Sequence, residues 1–138
     1  VKKRGLSMYE GIILASIVQK ETFVEEEYPV VASVFYNRLR KNMRLQSDPT
    51  IIYGMGDRFD GNIKKSDLLD KNNRYNTYTI NGLPPTPISN PSKGALEGVM
   101  NLAETDFLYF VAKKDGTHIF AKSYEEHLIN VKKYQMGR

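Results

Sequence analysis

Most of the acidic residues in this chain have a structural task that can be read from their neighbours, and Glu21 has none. Glu10 stands three positions after Ser7, and Glu126 three after Ser123, both capping-box spacings. Asp48 precedes Pro49 at a helix start. Glu25, Glu26 and Glu27 form an acidic run that reads as solvent-exposed. Glu21 instead extends an apolar stripe. Stepping back by three and four gives Ile17, Val18, Leu14, Ile13 and Glu10, spacings that stack side chains on one side of a helix. A carboxyl at the edge of a core loses hydration, which raises its pKa and lets it keep a proton near neutral pH. Beside a cleft, such an acid can protonate a glycosidic oxygen. Spacing alone leaves a plain surface glutamate as an equal reading.

Other chemistries find little support. The chain has no cysteine, which excludes disulfides, thiolate metal sites and a cysteine nucleophile. The two histidines, His118 and His127, lack nearby carboxylates at metal-ligand spacing. His118 shares a strand face with Phe120, a face that could border a cleft; a hydrogen-bonded structural histidine is the competing reading. Gly54-Met-Gly56 lacks the rest of any nucleotide fingerprint, and no nucleophile elbow is present. No cofactor or metal is expected.

The ligand class is suggested by side chains that carry no charge. The chain has nine tyrosines and no tryptophan. Tyr53, Tyr75 and Tyr78 fall among Gln46, Asn73, Asn76, Thr77, Asn81 and Asn90. Flat rings, amides and hydroxyls suit a sugar polymer, with a tyrosine-rich packed loop as the alternative. Single-stranded nucleic acid could stack on the same rings but would want more cations in that segment. The net charge of +4 and pI near 9.2 come from lysines and arginines spread along the chain, which read as a solvated basic surface. Nucleic acid is therefore not an expected partner.

These residues need elements to hold them. With 138 residues, 41% hydrophobic and 26% charged, the chain suits one globular domain that buries roughly 65–70% of its unfolded surface. No apolar run is long enough to span a membrane. A first helix should start at Ser7 and end near Thr22. Pro29 suits the first turn of a second helix with Val31, Val34, Phe35 and Leu39 on its apolar face. Asp48-Pro49 starts a third helix that Gly54 should stop. Residues 55–65 read as loop and Ser66–Asp70 as one helical turn. Residues 72–92, with prolines at 84, 85 and 87, read as a rigid, ordered binding loop. Pro91 opens another helix. Phe107–Ala112 and Thr117–Ala121 form a hairpin around Asp115-Gly116, and Ser123 caps a last helix bearing Leu128, Val131 and Tyr134. The expected fold is α+β, a single mainly helical domain over residues 1–138 with a small antiparallel β-hairpin.

Several of these segments have a familiar order. Leu14-Ala-Ser-Ile-Val-Gln-Lys-Glu-Thr22, Val31-Ala-Ser-Val-Phe-Tyr-Asn-Arg-Leu39, Met43-Arg-Leu-Gln-Ser-Asp-Pro-Thr50, Ile52-Tyr-Gly54, Tyr75-Asn-Thr-Tyr78 and Gly82-Leu-Pro-Pro85 resemble, in sequence and order, the YceG-like endolytic murein transglycosylases. Phe107-Leu-Tyr-Phe-Val111 and His118-Ile-Phe120 continue the resemblance over nearly the whole chain. It implies a lysozyme-like glycan cleft and a single catalytic glutamate, which matches Glu21. Many members have a second glutamate where this chain has Gln19, leaving Glu21 alone. The resemblance also implies glycan contacts at Gln46, Asp48, Asn76, Thr77, Tyr78 and His118. Its expected substrate is peptidoglycan glycan strands, with the cell-wall synthesis machinery as an open further partner. It further implies that this chain is a fragment of a longer, membrane-anchored protein working on the extracytoplasmic face of a bacterial membrane.

Overall fold

The capping box expected at Ser7 is present: the Ser7 hydroxyl accepts from the Glu10 amide, and the Glu10 carboxylate accepts from the Ser7 amide at 2.8 Å. Helix α1 runs Met8–Glu21 and ends where Thr22 turns extended. In the computed structural model, which describes residues 5–136, Ile13, Leu14, Ile17 and Val18 of α1 are buried. Burial of each such side chain contributes about 1.5–3 kcal/mol, against about 1 kcal/mol for a cap. Packing of the stripe therefore holds α1 more firmly than its N-terminus does.

Helix α2, Tyr28–Arg40, has Pro29 in its first turn and buries Val31, Ala32, Val34 and Phe35. Helix α3 spans Asp48–Met55, α4 is the single turn Lys65–Leu68, and α5 spans Lys93–Met100 behind its cap residue Ser92. Helix α5 packs against both α1 and α2. The approach to α2 is close: a methyl group on Gly98 would meet Tyr28 Cβ at 2.9 Å and the Tyr28 carbonyl carbon at 3.0 Å. These three helices enclose the core, completed by Leu45, Ile88 and Leu102.

Strands β1, Tyr109–Ala112, and β2, His118–Ala121, pair antiparallel with Phe110 opposite Phe120 and Ala112 opposite His118. Helix α6, Tyr124–Val131, packs on both strands and leads into a π-helical turn, Lys132–Met136. Among the described residues the fold is thus six helices and one two-stranded antiparallel sheet.

Two local expectations need correction. Gly54 does not stop α3, which continues to Met55 and ends at Gly56 with φ of 57°. Gly54 is needed for another reason: a methyl group there would overlap the Asn73 amide. Asp48 is the first residue of α3, as expected, and Ser47 precedes it as the cap residue. Glu27 is not solvent-exposed but only 9% accessible. Leu128 of α6 is 48% exposed.

The 72–92 stretch has no regular helix or strand, yet Asn73, Asn76 and Thr77 are at most 4% exposed. The Asn76 amide nitrogen donates toward the carbonyls of Asp67, Leu68 and Asp70, and its oxygen accepts from the Tyr78 amide at 2.9 Å. Asn73 donates to the Ile51 carbonyl and accepts from the Tyr75 amide. Buried amides replace the missing secondary structure, satisfying backbone groups that water cannot reach.

Candidate active site

Helix α1 delivers Glu21 at its last position, and the segment before α3 brings Ser47 against it. The Ser47 hydroxyl donates to Glu21 Oε2 at 2.6 Å. Ser47 is itself fixed from below, its amide donating to Thr77 Oγ1 at 2.8 Å, with Thr50 Oγ1 2.9 Å from the same oxygen. Among the described residues no donor reaches Glu21 Oε1. Burial pushes the Glu21 carboxyl above its ordinary pKa of 4.5. The Ser47 hydrogen bond opposes that rise, the charge of Asp48 adds to it, and His118 and Arg38 oppose it more weakly. Desolvation is the largest effect, so the acid form is favoured.

Glu21 opens on a cavity of about 260 Å³ lined also by Arg38, Gln46, Asp48, Tyr78 and His127 over Phe35, Leu45 and Phe110. The Tyr78 hydroxyl donates to Asp48 Oδ1 at 2.8 Å. Burial first, then this bond, holds the Tyr78 phenol far above its ordinary pKa, so it remains a donor. Gln46 sits in the left-handed region with φ of 52°, a conformation that costs a non-glycine residue about 1 kcal/mol and often marks functional sites. A larger cavity of about 500 Å³, between α2 and the 102–107 segment, contains none of these residues. Chemistry rather than size picks the site.

Four of the residues singled out in the sequence therefore meet: Glu21, Gln46, Asp48 and Tyr78. Asn76 and Thr77 do not reach the cavity wall. Both are fully buried with their polar groups committed internally. His118 also lies behind the wall, where its amide and Nδ1 each meet a carboxylate oxygen of Glu27 at 2.7 Å. Glu27 in turn accepts from Thr22 Oγ1 at 2.9 Å. The structural reading of His118 is the one its contacts support. Gln19 is structural too: it accepts from the Ser92 amide at 2.8 Å and donates to the Tyr28 hydroxyl at 3.3 Å.

Three wall or support residues escaped the sequence reading. Ser47 lies inside the quoted Leu-Gln-Ser-Asp segment but has no chemistry until Glu21 meets it. Arg38 looks like a cation at a helix end, yet it is 9% exposed and bonded to the carbonyls of Leu108, Arg44 and Leu45. His127 stacks on Tyr109 at 5.0 Å, and burial together with the Arg38 charge lowers its pKa, favouring the neutral ring. The described residues contain no cluster of three or more groups suited to a metal ion.

The model of the YceG-like family matches residues 1–133. The chain belongs to that family. A relative from Bacillus subtilis (strain 168), named endolytic murein transglycosylase, is 38% identical over 134 residues, covering 97% of this chain and 37% of that protein. A Streptococcus pneumoniae (strain D39) protein of the same name is 38% identical over 136 residues, covering 95% of this chain and 24% of its own length. The chain thus spans about a quarter to two-fifths of these relatives. A YceG-like protein of Listeria monocytogenes, solved by crystallography, superposes with a TM-score of 0.79 at 39% identity, covering 93% of this chain and 40% of that one. No helix among the described residues of this YceG-like chain is long and apolar enough to cross a membrane.

Proposed function

We propose that this chain is the catalytic part of an endolytic peptidoglycan lytic transglycosylase, cleaving the β-1,4 bond between N-acetylmuramic acid and N-acetylglucosamine. The observation that carries the reading is a desolvated, acid-favouring Glu21 held by one hydroxyl at the wall of a polar cavity. Family membership and the names of the relatives support it. In the acid form Glu21 gives its proton to the bridging oxygen. The bond to C1 of the muramic acid breaks, and positive charge develops there. Glu21, now a carboxylate, takes the proton of the sugar's own C6 hydroxyl as that oxygen closes on C1. The product is a 1,6-anhydro end, no water is consumed, and Glu21 regains the proton it began with.

Because the attacking hydroxyl belongs to the same sugar, the step is intramolecular, worth about 10⁵ M or more in effective concentration when well oriented. One carboxylate is enough. In this reading Gln46, Asp48 and Tyr78 contact the glycan, while Asn76, Thr77 and His118 hold the groove from behind. The chain would act within a longer, membrane-anchored protein on the extracytoplasmic face of a bacterial membrane.

Asp48 in the same cavity favours one second reading, a water-using muramidase with Asp48 as the second carboxylate. Mass spectrometry of murein digests separates the two. Anhydro-muramic ends, lost in Glu21→Gln with the fold intact, are the expected result. Reducing ends that depend on Asp48 would establish the second reading. Murein binding without soluble fragments, indifferent to Glu21→Gln, would reduce the chain to a glycan-binding module.

A further inference from the structure

His127 lines the Glu21 cavity, and neither of its ring nitrogens has a hydrogen-bond partner among the described residues. The ring is nevertheless held in place, stacked on Tyr109 at 5.0 Å with 22° between the planes. Its two nitrogens differ in exposure: Nδ1 is sealed from solvent, whereas Nε2 is not. A buried N–H without an acceptor is rare in folded proteins, and an imidazolium would place one at Nδ1. Burial and the nearby Arg38 charge also favour the neutral ring. The single remaining proton therefore belongs on Nε2, with the bare Nδ1 lone pair inside. His127 is thus a fixed, uncharged donor at the accessible edge of its ring.

A donor of this kind is satisfied by a carbonyl oxygen and needs no charge on the ligand. The same cavity wall carries the apolar side chains of Phe35, Leu45 and Phe110. A neutral donor beside an apolar wall matches an acetamido group, which joins a carbonyl oxygen to a methyl. On the peptidoglycan reading above, on which this inference rests, every sugar of the strand carries that group, with or without its peptide. We propose that His127 binds the glycan by donating Nε2–H to an acetamido carbonyl whose methyl lies against the apolar wall. It is a binding residue and takes no part in the proton transfers assigned to Glu21.

The test uses the whole chain carrying Glu21→Gln, so that binding is read without turnover. The probe is a set of soluble, peptide-bearing murein fragments, isotope-labelled in the acetyl carbonyl. Imidazole nitrogen chemical shifts of the unliganded protein should show His127 protonated at Nε2, and protonation at Nδ1 overturns the inference. Adding His127→Phe keeps a flat ring to stack on Tyr109 and removes the donor. It should weaken binding about three- to tenfold, the loss of one neutral hydrogen bond, and abolish the downfield shift of a bound acetyl carbonyl. His127→Gln, which restores an amide donor, should recover most of the affinity. Equal affinity or an unchanged carbonyl shift in His127→Phe overturns the inference alone, as does a weakening that His127→Gln shares in full. Fragments that bind none of these proteins overturn the glycan reading together with it. Anhydro ends missing from digests by the parent chain overturn the transglycosylase reading and leave the binding result standing.

Discussion

Glu21 couples acidity to stability, and the sign is fixed by its burial. Its pKa is raised on folding, so the folded protein holds the proton more tightly than the unfolded chain does. The stability linked to this group is complete below the ordinary value of 4.5 and is lost as pH rises through the raised folded value. Glu21→Gln should therefore melt at a higher temperature than the parent at pH 7–8, with the gap closing toward pH 4. Thermal melts across that range check it, and a gap that widens on acidification would contradict the assignment. Ser47 acts in the opposite direction, since its hydroxyl stabilises the ionised carboxylate. The proposed cleavage requires the acid form, so on that reading the rate should fall on the alkaline side as Glu21 ionises. Ser47→Ala is expected to move that alkaline limb of kcat/KM to higher pH, and a limb moved to lower pH would refute the role given to Ser47.

At the scale of elements, the site depends on how α3 meets the 72–92 segment. Gly54 leaves room for the Asn73 amide, which bonds the Ile51 carbonyl and the Tyr75 amide. Gly54→Ala forces one of them to move and should cost about 1–3 kcal/mol in urea unfolding, whereas a surface change nearby, such as Asp57→Ala, should stay within about 0.5 kcal/mol. The Ser7 cap and the apolar stripe leading to Glu21 could be read from the sequence because their partners lie within a turn or two. Ser47 could not, because its partner is 26 positions away. The burial of Glu27 is hidden from the sequence for the same reason. Three consecutive glutamates look like a solvated run, and the histidine that buries the last of them stands 91 positions later. Gly54 resembled a helix stop because its true constraint, the Asn73 side chain, comes from another segment.

For the molecule as a whole, the irregular 72–92 segment behaves as part of the scaffold. The backbone amides of Gln46 and Ser47 donate to the Thr77 carbonyl and hydroxyl, and those of Tyr78 and Ile80 donate to Asn76. Native-state hydrogen exchange should therefore show these amides protected well above those of residues 60–64, which are mostly exposed. Uniformly fast exchange through 72–80 would mean that the site lacks its support. The general form of the domain, helical with one hairpin, followed from periodicity and turn residues. Its working surface did not, because cavities are made where distant segments converge.

The bond from Glu27 to the His118 backbone and ring also sets a minimum length for any working fragment. Through Thr22, that carboxylate anchors the C-terminal end of α1 to the hairpin. A truncation stopping before residue 118 would remove the anchor, free the tip of the first helix, and let the proposed proton donor swing away from its post. On the proposed function, the smallest active piece must therefore reach beyond the second strand, although the residue assigned the proton transfer lies far earlier in the chain.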